Sequence, residues 1–391
     1  MCSTNERVDR IIASIANSIP IDTELSHYII NTIGLRLHCS PGINTDFVRE
    51  IFEPWCYDQR IYNRSLYESP LNESWSVYLW TNSRLVNQHK HSVALLSGAT
   101  TSVQRWRGDD QHLRLSGSSG ALLVLHEKPF EGITVYLPDK KTIYSVFDND
   151  PNISHCEHVL KYPSRTQSRL YDIWDCHASA VLHNDEAVIF VGNRRSGKTT
   201  CVIEMIARES YYYIANDLCA IDLTALEGIY LHAIPHMLRL TDDNISKWPD
   251  IAHRALKVDR DNEDYTKGFV FCGGKYEIYA PVARDFIGEI VGSIPYPVKF
   301  VIFPHGSLEP SAPVIRELSS DETTRRLAQQ LCSDRPLPDW LAVESYDTHR
   351  PKRLLLELCA KRPLHGLDFQ FHFSDSSAFD KLTSVLGYLD A

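Results

Sequence analysis

Residues 187–200 read Ala187-Val188-Ile189-Phe190-Val191-Gly192-Asn193-Arg194-Arg195-Ser196-Gly197-Lys198-Thr199-Thr200. An apolar run of strand type leads directly into G-x-x-x-x-G-K-T-T, the Walker A pattern. The following Cys201-Val202-Ile203-Glu204-Met205-Ile206-Ala207-Arg208 is compatible with a helix. The order strand, glycine-bearing loop, helix is what the pattern needs, because loop and first-turn N–H groups then converge on an anion. In that geometry Lys198 reaches the β- and γ-phosphates of a nucleotide and the Thr199 hydroxyl takes one position on Mg²⁺. The expected nucleotide contacts are Gly192, Asn193, Arg194, Arg195, Ser196, Gly197, Lys198, Thr199 and Thr200. The competing reading is a surface turn that happens to spell these letters.

Working outward, the chain has 391 residues, enough for two domains. It is 43% hydrophobic and 23% charged, ordinary values for a globular protein. A net charge of −10 argues against a protein that grips nucleic acid or anionic membrane by bulk electrostatics. No apolar run approaches the ~20 residues of a membrane span and no N-terminal signal is evident, so a cytoplasmic location is expected. The ten cysteines form no C-x-x-C pair and read as reduced thiols. Any metal is expected to arrive with the nucleotide.

Residues 1–24 look like an N-terminal helical appendage, with Val8, Ile11, Ile12 and Ile15 at helical spacing. His27–Cys39 reads as a strand pair or one bent strand, and Asn44-Thr45-Asp46 as the cap of a helix through Phe52. Short β-rich runs at 75–81, 113–116, 121–126, 132–137 and 142–147 make 25–150 an α+β domain dominated by antiparallel sheet. Residues 151–167 read as a polar linker and 168–332 as the nucleotide-binding α/β core, a mixed sheet with flanking helices. Residues 333–391 read as a helical extension, with helices expected at 353–359 and 376–389. Ser319-Ser320-Asp321-Glu322 is a capping box opening a helix through Leu331.

Three residues outside the loop stand out. If Ala178–Leu182 and Ala187–Val191 form a hairpin, Leu182 faces Ala187, and counting outward sets His177 across from Gly192. His177 is then either a group beside the loop or an ordinary edge histidine. Asp217 follows the β-rich Tyr211–Ala215, where ligand groups gather at strand ends. It either holds Mg²⁺ or its water, accepts a proton from an attacking hydroxyl, or makes a turn with Asn216. Arg239 contacts phosphate or an acidic acceptor, or is simply solvated. Arg194 and Arg195 clamp phosphate or face solvent, and Lys257–Gly268 is a lid or a plain surface loop.

Together Cys176–Val181, the 192–200 loop, Ala215-Asn216-Asp217, Ile234–Leu240, Val298–Pro304 and Leu318–Leu327 resemble the C-terminal domain of the HPr kinase family, across about 168–332. The resemblance implies a P-loop kinase fold and an ATP- and Mg²⁺-dependent phosphotransfer to a serine-like hydroxyl of a peptide, protein or small molecule. It makes Asp217 the general base, His177 a phosphate-contacting or base-supporting group, and Lys198 the neutraliser of the transferring phosphoryl. The family's regulatory enzyme is a multimer, so the resemblance also raises homo-oligomerisation. The chain departs from the family at Asn216-Asp217, commonly two aspartates, and at Thr199-Thr200, usually Ser-Glu. The alternative function is a nucleotide-binding regulatory or scaffold module in a biosynthetic pathway, with weak phosphotransfer or none.

Overall fold

Ser3 caps helix α1 (Thr4–Ser18): its hydroxyl accepts from Glu6 N at 3.2 Å, and the Glu6 carboxylate accepts from Ser3 N at 2.7 Å. Two orphan amides are thereby satisfied before the helix begins. The computed structural model describes residues 3–20, 25–30, 33–41, 43, 74–96, 103–106, 110–117, 120–126 and 131–149. It further describes scattered positions in 156–163 and, with short gaps, 168–257, 269–331 and 347–390. The chain is a mixed α/β protein that divides into two units between Gln167 and Ser168, the second also taking in Asp347–Ala391.

In the first unit the strands are β1 (Leu25–Ile30), β2 (Ile33–Cys39), β3 (Trp75–Thr81), β4 (Val103–Trp106), β5 (Asp110–Ser116), β6 (Leu122–His126), β7 (Gly132–Leu137) and β8 (Thr142–Phe147). Helix α2 (Ser83–Leu96) follows β3 and was not expected from the sequence. The sheet order is β1-β2-β3-β8-β7-β6-β5-β4. The expected antiparallel pattern holds except at its centre, where β2–β3 and β3–β8 are parallel. Far from being an appendage, α1 contributes Val8, Ile11, Ile12 and Ile15 to a core shared with Val86, Val93, Leu123, Leu125, Ile133 and Val146. That burial ties the helix to the sheet by the hydrophobic effect. Most of the expected linker 151–167 lies outside the described residues. Its described residues Cys156, Val159, Leu160 and Lys161 are helical and buried. The helix expected at Asn44–Phe52 lies outside the described residues.

The second unit contains β9 (Ile173–Cys176), β10 (Ala178–His183), β11 (Glu186–Val191), α3 (Lys198–Ile206), β12 (Tyr212–Ala215), β13 (Cys219–Asp222) and β14 (Tyr230–Ala233). Then come β15 (Leu238–Leu240), β16 (Phe269–Cys272), β17 (Lys275–Ile278), α4 (Ala280–Ile287), β18 (Tyr296–Ser307), β19 (Val314–Leu318), α5 (Ser320–Gln330), α6 (Arg350–Lys361), β20 (His365–His372) and α7 (Ser377–Asp390). The main sheet runs β12-β10-β11-β18-β14-β13-β9, with β20 paired to β18 and β19 to β20. β11, β18 and β20 are mutually parallel. The inner residues of β11 and β18 are apolar and buried on both faces, as a parallel core requires, whereas β20 alternates the buried Leu367, Phe369 and Phe371 with Asp368 and the exposed Gln370. A separate antiparallel sheet has the order β15-β17-β16.

The segment read as a helical extension therefore contains a strand of the main sheet, between the two helices the sequence predicts. Asn184 and Asp185, at φ 50° and 62°, close the β10–β11 hairpin in the left-handed region that a two-residue turn needs. Ser319 accepts from Glu322 N at 3.2 Å and so opens α5 where the sequence places a cap. The described cysteines Cys39, Cys156, Cys176, Cys201, Cys219 and Cys359 are free and buried. Among the described residues no helix is long and apolar enough to cross a membrane.

Candidate functional site

Strand β11 ends at Val191, beside the carboxyl ends of its parallel neighbours, so loop 192–197 lies where open α/β sheets collect ligand groups. The loop is fastened from below: Gly306 N of β18 donates to Ser196 O at 2.9 Å, and Ser196 N donates to Asn193 O at 3.2 Å. Gly192 is glycine for space, since a Cβ there would come 2.9 Å from Ser196 Oγ. Gly197 is glycine twice over, at φ 101° and with Phe371 Cζ 2.7 Å from any added Cβ. Gly197 caps α3 without a side-chain bond, so the first-turn amides of the helix face the loop.

Inside this curve Lys198 Nζ donates to Gly192 O at 2.8 Å and to Asn193 O at 3.0 Å. Ser196 Oγ is buried and has no hydrogen-bond partner among the described residues. Arg194 and Arg195 are exposed, Arg195 at φ 69°. Asn193 Oδ1 accepts from Gln330 Nε2 at 3.4 Å, which ties the loop to α5. Thr200 Oγ1 donates to Asn244 Oδ1 at 3.3 Å and so turns away from the loop.

Asn216, wholly buried, is the hinge of the site. Its Oδ1 accepts from Thr199 Oγ1 and Ser179 Oγ, both at 3.0 Å, and its Nδ2 donates to Arg239 O at 3.3 Å. All three bonds suit a carboxamide; an aspartate would set a carboxylate oxygen against the Arg239 carbonyl. Asp217 follows at φ 67°, with its N–H donating to Ser179 Oγ at 3.1 Å. Its Oδ2 lies 3.4 Å from Lys275 Nζ of β17. Burial raises the Asp217 carboxyl, but the charges of Lys275, Arg239, His236 and Lys198 outweigh it and hold the pKa at about 2. Asp217 also raises the buried Tyr213 phenol, chiefly lifted by its own burial.

Arg239 lies in β15 opposite Glu277 of β17, with Nε 3.1 Å from an Oε1 that is completely buried. This is an ion pair without hydrogen-bond alignment, and it commits the arginine to a buried acid. His177 takes the position the register predicts: Ala178 pairs with Val191, which sets the residue before it across from Gly192. Its N–H reaches Gln330 O at 3.4 Å, and Cys176 pairs with Cys219, two residues beyond Asp217. The backbone thus brings His177, Ser179, Asp217 and the loop to one end of the sheet.

The sequence missed Lys275, Ser179 and Glu277. Ser179 sits one strand period from His177, a signal that was readable; Lys275 follows Gly273-Gly274, a turn cue without a chemical one. Of the expected lid 257–268 only Lys257 is among the described residues. Among those residues no group of three or more His, Cys, Asp or Glu side chains is placed to hold a metal ion. No known protein-family model matches the chain, and no curated protein matches it.

Proposed function

We propose that the chain is an ATP- and Mg²⁺-dependent phosphotransferase of the HPr-kinase-like kind, passing the γ-phosphoryl group to a serine-like hydroxyl of a peptide, protein or small molecule. The observation that carries this reading is the bonded chain Ser179–Asn216–Thr199, which ties the residue before Asp217 to the residue after Lys198, with Asp217 itself 3.4 Å from Lys275. The lysine and arginine charges acting on this carboxylate, in a protein of net charge −10, suit a ligand with several negative charges.

The loop's residues fit a triphosphate. The buried Ser196 hydroxyl lacks a partner and can donate to a phosphate oxygen, and the glycine cradle would be filled by any Cβ. The Thr199 hydroxyl donates its proton to Asn216, leaving oxygen lone pairs for a metal. Thr199 and Asp217 would hold Mg²⁺ together with phosphate oxygens and water, the usual economy of protein ligands for that ion. Bound there, Mg²⁺ would neutralise phosphate charge. Asp217 takes the proton of the acceptor hydroxyl, Lys198 leaves its loop carbonyls for the phosphoryl oxygens, and the loop amides hold the β-phosphate. His177, opposite Gly192, supports the phosphate side.

One observation favours the alternative of a nucleotide-binding module with weak transfer: a neutral carboxamide, not a second carboxylate, faces Thr199. Labelled ATP with a set of hydroxyl acceptors separates the two. Transfer by the wild type, lost in Lys198→Ala and Asp217→Ala, is the expected outcome. ATP binding without transfer to any acceptor, with slow hydrolysis indifferent to Asp217→Ala, selects the module. Asn216→Asp is expected to cost about 1–3 kcal/mol of stability through the oxygen–oxygen contact it creates.

A further inference from the structure

We infer that Phe373 is the platform on which the nucleobase of the bound nucleotide stacks; the inference rests on the phosphotransfer reading above. Strand β11 delivers the loop, and the main sheet continues on either side of it, through β10 to β12 and through β18 to β20. β12 runs antiparallel to β10, as β10 does to β11, so β12, β11, β18 and β20 all end at the same edge of the sheet. Asp217 follows β12, two strands to one side of the loop strand. Phe373 follows β20, two strands to the other side.

In-line transfer sets the acceptor oxygen and the leaving diphosphate on opposite sides of the γ-phosphorus. With Asp217 marking the acceptor side, the α-phosphate, ribose and base run toward β18 and β20. Among the described rings of those two strands, Phe369 and Phe371 are wholly buried, and Phe303 lies beneath Arg326, whose Cζ is 4.1 Å from the ring centroid. Phe373, just past the end of β20, keeps part of its surface open. Its Cε1 lies 3.4 Å from where a Gly197 Cβ would stand, and the tip of the ring rests on Gly306. Both neighbours are glycines, so neither lays a side chain over the ring. Gly306 also donates its N–H to Ser196 O, so the ring and the phosphate loop share one support.

The ring is held before any ligand arrives. Phe373 N donates to Ser307 O at 3.0 Å, and His372 Nε2 donates to Leu308 O at 3.1 Å, which clamps the turn to the end of β18. The Phe371 ring meets the Phe373 ring edge-on, with centroids 5.7 Å apart and planes at 80°. A ring fixed in this way stacks on a base at little cost in rotamer freedom. It meets the flat face of the base and not its edge, so it adds affinity for a nucleotide over a bare polyphosphate.

The test compares Mg²⁺-ATP with Mg²⁺-tripolyphosphate, the same anionic tail without a base, by titration calorimetry of the full chain. Phe373→Leu keeps apolar bulk against Gly306 and removes the aromatic face. It is expected to weaken Mg²⁺-ATP about 10-fold and to leave tripolyphosphate within about 3-fold. Equal weakening of both probes, or of neither, marks a packing residue and overturns the inference. Binding of both probes that is lost in Lys198→Ala then keeps the phosphate-loop reading. Phe373→Met serves if the leucine variant fails to fold, as judged by circular dichroism. If both fail, irradiation of the wild type with 8-azido-ATP decides: label on the peptide that contains Phe373 is expected, and label confined to other peptides overturns the inference. A wild-type chain that binds neither ATP nor tripolyphosphate removes both readings.

Discussion

Asn216 and Asp217 divide the work of one strand end between a neutral and a charged neighbour. The carboxamide satisfies two hydroxyls and a carbonyl from complete burial, which no carboxylate could do without desolvation or repulsion. The carboxylate beside it is paid back by cations instead. Its pKa is about 2 against an ordinary 3.8, so its contribution to stability is full above the ordinary value and is lost as pH falls through about 2. That contribution is on the order of 2 kcal/mol, since each unit of depression corresponds to about 1.4 kcal/mol. Asp217→Asn is therefore expected to be less stable than wild type at pH 7 in urea unfolding, with the gap closing between pH 4 and pH 2. A gap that stays constant over that range would show that the charge of Asp217 does not support the fold. Asp217 was readable from its place after a β-rich run, but its partners were not: Lys275 is 58 positions away, and pairing across that separation follows from tertiary topology alone.

Among the elements, β20 shows how a distant strand shapes a local motif. The rings of Phe371 and Phe373 press against Gly197 and Gly306, and β18 donates the Gly306 amide to Ser196 O. Loop 192–197 therefore takes its curve from the C-terminal strand as well as from its own glycines. Gly306→Ala is expected to destabilise by about 1–3 kcal/mol, because its Cβ would overlap the Phe373 ring in a closely packed site. Phe373→Ala removes that ring, so the double variant should cost less than the sum of the two single ones. A double-mutant cycle read by thermal or urea unfolding checks this, and strictly additive costs would show that the ring and the glycine do not meet. The β10–β11 hairpin, α5 and α7 were legible because caps, turns and periodicity are local. β20 was missed although Leu367, Phe369 and Phe371 alternate with Asp368 and Gln370, the local signal of a half-buried strand; what leaves no local signature is its parallel pairing with β18. α2 escaped because His89, Lys90 and His91 interrupt its apolar stripe.

At the scale of the molecule, the mixed α/β class was legible from the alternation of apolar runs, turns and helix caps, while the membership of segments was not. α1 reads as an appendage because only its own four apolar residues are visible in sequence; the surface that buries them comes from helix α2 and from strands of the sheet, all distant in sequence. The segment 350–390 reads as an extension because helices α6 and α7 dominate its composition, although β20 closes the main sheet between them. Each unit thus completes a core of its own, one around α1, α2 and the eight-stranded sheet, the other around β11, β18 and β20. On the proposed phosphotransferase reading, ligand linkage acts on the second unit. A nucleotide that binds the folded second unit stabilises that unit by RT ln(1 + [L]/Kd), about 4 kcal/mol at a thousand-fold excess over Kd, and exerts no such pull on a core it does not touch. Scanning calorimetry is expected to resolve two components, with Mg²⁺-ATP raising one and leaving the other in place. Val86→Ala, which opens a cavity in the first core, should lower only the component that ATP leaves unmoved, by about 2–4 kcal/mol of stability. One component that shifts as a whole under both treatments would mean that the two cores unfold as a single cooperative body.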